Sequence, residues 1–174
     1  MSLYIKRPTL DDEKEFIDMM SDWEQSKERI VPGIIKNYLP DYKAFLGLLD
    51  NCHNGIGLNK TQVPSTLYIF KEENNKILGA ISIRHYLTEE LKKYGGHIGY
   101  GIRPSERNKG YATIMLKLAL EKAKELNIGK VMIHCDDDNL ASSKIIIKNG
   151  GQIEFNGYYK KLNRKIRRYS ILIV

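Results

Sequence analysis

The fold of this 174-residue chain is decided by the stretch Gly101-Ile102-Arg103-Pro104-Ser105-Glu106-Arg107-Asn108-Lys109-Gly110-Tyr111-Ala112. A short apolar run, Ile98 to Ile102, leads into it and predicts a β-strand that stops at Pro104. From Ala112 onward, apolar residues recur at positions 112, 115, 116, 119, 123 and 126, which is the spacing of one helix face. The stretch therefore predicts a strand, a tight charged loop and an amphipathic helix, in that order.

The loop before this helix is suited to a negatively charged ligand. Gly110 has no side chain, so the backbone can approach a ligand closely there. The first amides of the helix lack an intrahelical acceptor, and the helix dipole favours negative charge beside them. We therefore expect a phosphate or pyrophosphate at this corner. The residues of a Walker loop and the three glycines of a dinucleotide fingerprint are both missing from it.

The net charge of +7 is concentrated near the C-terminus. No Asp or Glu follows Glu154, and one short stretch contains the basic residues Lys160, Lys161, Arg164, Lys165, Arg167 and Arg168. These six residues account for all but one of the net positive charges. Such a patch suits an anionic cofactor, an acidic substrate or nucleic acid, and it is equally consistent with a solvated hairpin. Nucleic acid is disfavoured, because the chain has no recognition-helix or stacking-sheet motif.

Other features of the composition favour a cytoplasmic protein without a metal. No apolar run approaches the ~20 residues of a membrane span, and the first residues lack a signal-peptide pattern. Cys52 and Cys135 lie in dissimilar segments without metal-ligand spacing, so we expect both thiols to be reduced. The run Asp136-Asp137-Asp138 is interpreted as loop and helix-start charge rather than a metal site.

The predicted order of elements is β-α-α-β-β-β-α-β-α-β-β, and no second-domain boundary or repeat is found. Mixed order of this kind predicts an α/β (α+β) domain with a mixed, mostly antiparallel central sheet flanked by helices. One crossover is expected, through the helix that follows Gly110.

Two motifs carry a family resemblance. The pattern Arg107-x-x-Gly110-x-Ala112 resembles the acetyl-CoA signature of GNAT-superfamily N-acetyltransferases, written Arg/Gln-x-x-Gly-x-Gly/Ala. About 30 residues later, Asn139-Leu140-Ala141-Ser142 resembles the Asn-x-x-Ser helix start of the same family. The sequence Gly96-His97-Ile98-Gly99-Tyr100 resembles the corresponding stretch in the branch of this family related to ribosomal-protein N-terminal acetyltransferases.

The resemblance implies a single acetyl-CoA-dependent N-acetyltransferase domain over residues 1–174. In it, residues 1–65 form a variable acceptor-side segment, 66–155 the acetyl-CoA-binding core and 156–174 a C-terminal hairpin. The strands at 97–103 and 130–135 are expected to splay apart and admit the pantetheine arm. The implied cofactor-binding residues are Ile102, Arg103, Arg107, Asn108, Lys109, Gly110, Tyr111, Ala112, Asn139 and Ser142. The implied partner is an unidentified amine acceptor, to which the acetyl group is transferred directly within a ternary complex. The resemblance leaves open whether the protein is a homodimer.

Proton removal from the amine requires a group that titrates near neutrality, which favours histidine. His97 stands at the start of the central strand, where the family often places its base and where a Glu often stands in the related branch. His134 lies on the other strand of the expected splay and is the second candidate. Each histidine also has a structural interpretation. His97 can be a solvated or hydrogen-bonded residue at the end of a strand. Because side chains alternate between the two faces of a strand, His134 can point into the core while Met132 lies on the same face.

The leaving thiolate also needs a proton donor. Many family members have a Tyr seven residues after the motif Asn, and here that position is Ile146. Tyr100 and Tyr111 are the candidate replacements, although tyrosines among such neighbours commonly serve packing. The missing Tyr also leaves open a non-catalytic acyl-CoA-binding or regulatory module.

Overall fold

The computed structural model describes residues 2–38 and 41–173. The strands are β1 (Leu3–Lys6), β2 (Ser65–Glu72), β3 (Ile77–Arg84), β4 (Ile98–Ile102), β5 (Lys130–Asp136), β6 (Gln152–Tyr159) and β7 (Arg164–Leu172). The helices are α1 (Glu13–Ser26), α2 (Tyr42–Asn54), α3 (Glu89–Tyr94), α4 (Tyr111–Glu125) and α5 (Leu140–Lys148). The predicted order of elements is confirmed, with α3 added in the polar stretch before β4. The last strand was expected to reach Val174, which lies outside the described residues.

The strands form two sheets in which all neighbours are antiparallel. One sheet has the order β1-β2-β3-β4 and the other the order β5-β7-β6. Helix α4 makes the crossover from β4 to β5, as predicted, but these two strands belong to different sheets. The predicted fold class is confirmed: antiparallel sheets flanked by helices, with a separation between the strands at 97–103 and 130–135.

A gap therefore runs between β4 and β5, and it is closed at one end. There the N–H of His97 donates to the Met132 carbonyl at 2.7 Å, and Nδ1 of His97 accepts the N–H of Met132 at 3.0 Å. Gly96 has a φ of +69°, and a Cβ on it would lie 2.7 Å from the Met132 carbonyl oxygen. We call Gly96, His97 and Met132 the closed end of the gap.

Past the closed end, β4 turns backbone donors towards the gap. The N–H of Arg103 donates to the Leu78 carbonyl of β3 at 2.9 Å. Backbone groups alternate in direction along an antiparallel strand, so the N–H groups of Tyr100 and Ile102 point away from β3. This side of β4 is free to bind a ligand because β5 does not pair with β4 here.

Helix α4 holds the two sheets together from one face. Its buried residues Met115, Leu116, Ala119 and Ala123 belong to a core that includes Ile81 and Ile83 of the first sheet and Val131, Ile133 and Tyr169 of the second. A second core packs α1 and α2 against the opposite face of the first sheet. The gap is thus bridged by apolar packing rather than by a continuous hydrogen-bond ladder.

Buried charges fix α1 on the first sheet. Asp12, just before α1, bonds to the buried Lys71 of β2 and accepts from Lys6 at 2.8 Å. Burial alone would raise the pKa of Asp12, but Lys6 and Lys71 lower it to about 2. Removing either partner of such a pair leaves an uncompensated buried charge.

Candidate active site

Two cavities meet where the gap opens. The first, of about 530 Å³, lies beside the loop before α4 and the start of α5, and we call it the loop cavity. The second, of about 1080 Å³, lies along the ends of β3, β4 and β5, and we call it the strand cavity. Six residues line both cavities: Glu28, Arg29, Val31, Tyr100, Asn139 and Ser142. We call these six the junction.

The loop cavity has the backbone that an anion needs. Gly110 has a φ of +80°, and a Cβ added to it would meet no protein atom within 4 Å. Among the described residues, none accepts the backbone N–H groups of 108–112. Free amides at a helix start favour phosphate, so these residues fit the group that the sequence predicts. The predicted cofactor residues that line this cavity are Ile102, Arg107, Asn108, Gly110, Tyr111, Ala112, Asn139 and Ser142.

The side chains of two predicted cofactor residues lie elsewhere. Arg103 is only 5% exposed, and its guanidinium donates to Asp22 at 2.9 Å and to Asp18 at 2.8 Å on α1. Lys109 forms an ion pair with Glu106 at 2.7 Å. Neither residue lines the loop cavity. Arg103 instead attaches α1 to the end of β4.

Arg107 already has protein partners. Its Nε donates to the Ile102 carbonyl at 3.1 Å, and its Nη1 bonds to the Glu28 carboxylate. The local sequence pattern gives no sign of this pair, because Glu28 lies 79 residues earlier in the chain. The pair links the phosphate loop to the junction.

At the junction, a hydrogen bond crosses the gap. The Tyr100 hydroxyl and the Ser142 hydroxyl are 2.9 Å apart, which joins β4 to α5. Asn139 caps α5 by accepting the N–H of Ser142 at 3.0 Å, and this bond fixes Ser142 in the first turn of the helix. Burial raises the pKa of Tyr100 to about 12, so its hydroxyl keeps its proton at neutral pH.

The two candidate histidines are both neutral at pH 7. Burial, with Arg84 nearby, lowers the pKa of His97 to about 4, and its Nδ1 accepts a backbone N–H, so the proton is on Nε2. Burial, with Arg168 nearby, lowers the pKa of His134 to about 4. Nε2 of His134 bonds to the Lys93 carbonyl at 3.1 Å, and its Nδ1 is buried without a partner among the described residues.

Only one of these histidines faces a cavity. His134 lines the strand cavity, whereas His97 lines neither cavity. The geometry of His97 favours closing the gap over accepting a proton from the substrate.

The basic C-terminal hairpin is largely neutralised by ion pairs. Arg164 pairs with Asp136 at 3.1 Å, Arg167 with Asp137 at 2.6 Å and Arg168 with Glu154 at 3.8 Å, while Lys161 contacts Glu90. Asp136 and Asp137 therefore supply counter-ions to β7. These pairs favour the solvated-hairpin interpretation over an exposed nucleic-acid surface.

Comparisons with known proteins agree with this geometry. The family model "Acetyltransferase (GNAT) domain" matches residues 2–152. The uncharacterized N-acetyltransferase YnaD of Bacillus subtilis (strain 168) is 25% identical over 148 residues, which cover 80% of this chain and 78% of that protein.

Two solved structures share the fold. RimL, a ribosomal L7/L12 alpha-N-protein acetyltransferase in complex with coenzyme A, has a TM-score of 0.68 at 16% identity, covering 99% of this chain and 95% of that one. The microcin C7 self-immunity acetyltransferase MccE, in complex with acetyl-CoA and AMP, has a TM-score of 0.66 at 18% identity, covering 98% and 92%. In the part of the chain that the structure describes, no helix has both the length and the apolar character needed to cross a membrane.

Proposed function

The chain belongs to the GNAT acetyltransferase family, and we propose that it transfers an acetyl group from acetyl-CoA directly to the primary amine of a protein, a peptide or a small molecule. As a member of this family it is an acyltransferase, and acetyl-CoA is its cosubstrate. This disfavours a non-catalytic acyl-CoA-binding module. The observation that carries the proposal is the meeting of two cavities at the Tyr100–Ser142 bond.

Each cavity takes one substrate in this proposal. The loop cavity holds acetyl-CoA, with its phosphates at the amides of 108–112 and near Arg107. The strand cavity takes the amine acceptor, which reaches the junction from the opposite side. Bringing both substrates together in one complex supplies much of the rate, because it replaces a bimolecular encounter by a fixed orientation.

The side chains and amides at the junction have separate roles. Acetyl-CoA supplies an already activated thioester. The N–H of Ile102 faces the gap and is placed to donate to the carbonyl that is attacked, where charge develops. The Tyr100 hydroxyl, with Ser142 as its hydrogen-bond partner, donates a proton to the departing sulfur.

The remaining role is to accept the proton of the ammonium group. Of the two histidines predicted for it, His134 is the better placed because it lines the strand cavity. Its pKa of about 4 makes it a weak base at pH 7, so in this proposal water in that cavity takes the proton and His134 orients that water. The catalytic role of His97 stays a prediction that its buried position disfavours. A homodimer likewise stays a prediction. A cytoplasmic location is part of the proposal and is consistent with the free cysteines Cys52 and Cys135.

The placement of acetyl-CoA is tested by two glycine variants. Gly110 has a φ of +80° and Gly150 a φ of +85°, and an added Cβ meets no protein atom within 4 Å at either position. Gly110→Ala and Gly150→Ala should therefore lose similar stability, about 1–2 kcal/mol of backbone strain. Only Gly110→Ala should lose acetyl-CoA affinity, by about 10²-fold, since its methyl group occupies space beside the amides that bind phosphate.

Isothermal titration calorimetry gives both affinities, and thermal unfolding gives the stability. For the wild type, acetyl-CoA at about 100 times its dissociation constant should stabilise the fold by about 2.7 kcal/mol. An unchanged melting temperature at millimolar acetyl-CoA would overturn the proposal. Release of CoA across a panel of amines then tests transfer itself.

A further inference from the structure

We propose that the amine acceptor carries a carboxylate, and that the guanidinium of Arg84 in the strand cavity binds it. This rests on the proposed function, because it names the class of acceptor that the same site takes. The proposal depends on the surroundings of Arg84, the other charges of the cavity, and the distance from Arg84 to the junction.

Arg84 is a half-buried cation without a carboxylate partner. It ends β3, and its Nη1 donates to the carbonyl oxygens of Gly95 at 3.3 Å and Gly96 at 2.8 Å. Within the described residues, no Asp or Glu oxygen lies within 4.0 Å of its guanidinium. Burial accordingly lowers the pKa of Arg84.

A guanidinium in this state can still bind a ligand. It has five N–H donors in a planar fork that matches a carboxylate, and the two carbonyl contacts use only one of its nitrogens. Because a buried charge without a counter-ion is unfavourable, a ligand carboxylate gains more here than at an exposed arginine.

The remaining charges of the strand cavity favour the same class of ligand. Two carboxylates line the cavity, and each is already bound by an arginine: Glu28 by Arg107 and Asp136 by Arg164. Arg29 lines the cavity as well and has no ion pair within the described ranges. The cavity thus offers unpaired cations rather than unpaired carboxylates, which disfavours a polyamine and favours an acceptor with an acidic group.

The strand register sets the distance between the two ends of the acceptor. Tyr100 lies opposite Ile81, and the N–H of Arg84 bonds to the His97 carbonyl, so Arg84 lies three residues further along β3. At about 3.4 Å per residue, the Cα atom of Arg84 lies roughly 10 Å along the strand from the position opposite Tyr100. The offset of three residues directs the Arg84 side chain to the other face of the sheet from the Tyr100 side chain, so the 10 Å is a distance between backbone positions. An extended peptide spans the same distance from its N-terminal amine to its third residue. We therefore expect the acidic group at the third position of a peptide acceptor, or at an equivalent distance in a small molecule.

A purely structural role for Arg84 makes a different prediction. The bonds to Gly95 and Gly96 hold the chain just before the closed end, so a variant could disturb the fold without any role in binding. A structural role would affect all acceptors equally, whereas carboxylate binding affects only acceptors with a carboxylate.

The probes are two tripeptide amides with free N-termini, alanyl-glycyl-glutamate amide and alanyl-glycyl-glutamine amide. They differ only in one charge. Their dissociation constants are measured by calorimetry in the presence of saturating CoA, which cannot donate an acetyl group. We expect the glutamate peptide to bind the wild type at least about 10-fold more tightly, the low end for a hydrogen bond to a charged group.

Three variants sharpen the test. In Arg84→Gln, the affinity for the glutamate peptide should fall to that for the glutamine peptide, and the affinity for the glutamine peptide should not change. In Arg84→Lys, part of the difference in affinity between the two peptides should remain. Arg7→Gln removes the same charge from an exposed position outside both cavities and should keep all of it. Equal affinities of the two peptides for the wild type, no binding of either at millimolar concentration, or an equal loss for both in Arg84→Gln would overturn the proposal.

The same peptides with acetyl-CoA separate this inference from the proposed function. Tighter binding of the glutamate peptide without N-acetylation, detected by mass spectrometry, would support carboxylate recognition and count against acetyl transfer. N-acetylation of both peptides with equal kcat/KM would support acetyl transfer and count against carboxylate recognition.

Discussion

The two ends of the gap between β4 and β5 use backbone groups in opposite ways. At the closed end, His97 and Met132 satisfy one another through two hydrogen bonds, and Gly96 lets the strands touch. At the open end, the N–H groups of Tyr100 and Ile102 face the gap, and among the described residues only the bond between the Tyr100 and Ser142 hydroxyls crosses it. We therefore expect substitutions at the closed end to lower mainly the stability of the fold, and substitutions at the open end to lower mainly the turnover rate.

The largest expected effect comes from filling the closed end. Gly96→Val places a β-branched side chain at a φ of +69°, with its Cβ 2.7 Å from the Met132 carbonyl oxygen. Backbone strain and overpacking together should reduce the free energy of unfolding by about 3–5 kcal/mol, measured by urea denaturation. Gly129→Val is the control, since its added Cβ would meet no atom within 4 Å. A loss below about 1 kcal/mol in Gly96→Val would show that the closed end is not tightly packed.

The next effect concerns the side chain that closes the gap. His97→Ala leaves the Met132 N–H without its acceptor and opens a small cavity, so stability should fall by about 2–3 kcal/mol. His97→Asn should recover part of this loss, because its side-chain oxygen can replace Nδ1 as an acceptor. Equal stability of the Ala and Asn variants in urea denaturation would contradict the assignment of this bond.

His97 also makes stability depend on pH. Its pKa is about 4 in the folded protein, below the value near 6.5 of an unfolded histidine, so the unfolded chain binds more protons between these two values. Stability should be complete above pH 6.5 and decrease as the pH falls towards 4, by about 1–2 kcal/mol between pH 7 and pH 5 from His97 alone. In His97→Asn this loss should be smaller, and the loss that remains should include contributions from His134 and His85, whose pKa values burial also lowers.

The rate of the His97 variants separates its two roles. If His97 only closes the gap, any change in kcat should be small and should have the same factor at every pH. If the catalytic prediction is right, the loss should shrink as the pH rises, because more of the amine is then already deprotonated.

The smallest effect is expected at the open end. Tyr100→Phe and Ser142→Ala should each lower kcat by about 10-fold, less than most general-acid effects because a thiolate leaves readily. The double variant should be no slower than the slower single one, since the two hydroxyls act as a pair. Tyr158→Phe, at an exposed position of β6 outside both cavities, is the control and should keep its rate. Additive losses in the double variant would mean that Tyr100 and Ser142 act independently.

The sequence predicts the parts of this comparison that are set by local backbone conformation. The start of α4 after Gly110 and the start of α5 after Asn139 are encoded within a few residues, and both are found as expected. Side-chain partners are set by tertiary contacts instead. Arg103 turns to carboxylates more than 80 residues earlier, and His97 meets an N–H 35 residues later. No pattern near either residue carries that information, so the sequence does not predict where their side chains lie.

Strand β4 pairs with β3 on one side and does not pair with β5 on the other, so it is the edge strand of its sheet. Unlike most edge strands, it lies inside the molecule. Exposed edge strands are protected against pairing with other chains by charges or prolines, yet the sequence of β4 is Ile-Gly-Tyr-Gly-Ile and contains neither. Its protection comes only from the helices and the β5 sheet that enclose the gap. Partial unfolding that moves α4 and α5 aside would therefore expose an unguarded template for intermolecular β-pairing. Aggregation on heating should begin at this strand, and a ligand that fills the gap should delay it.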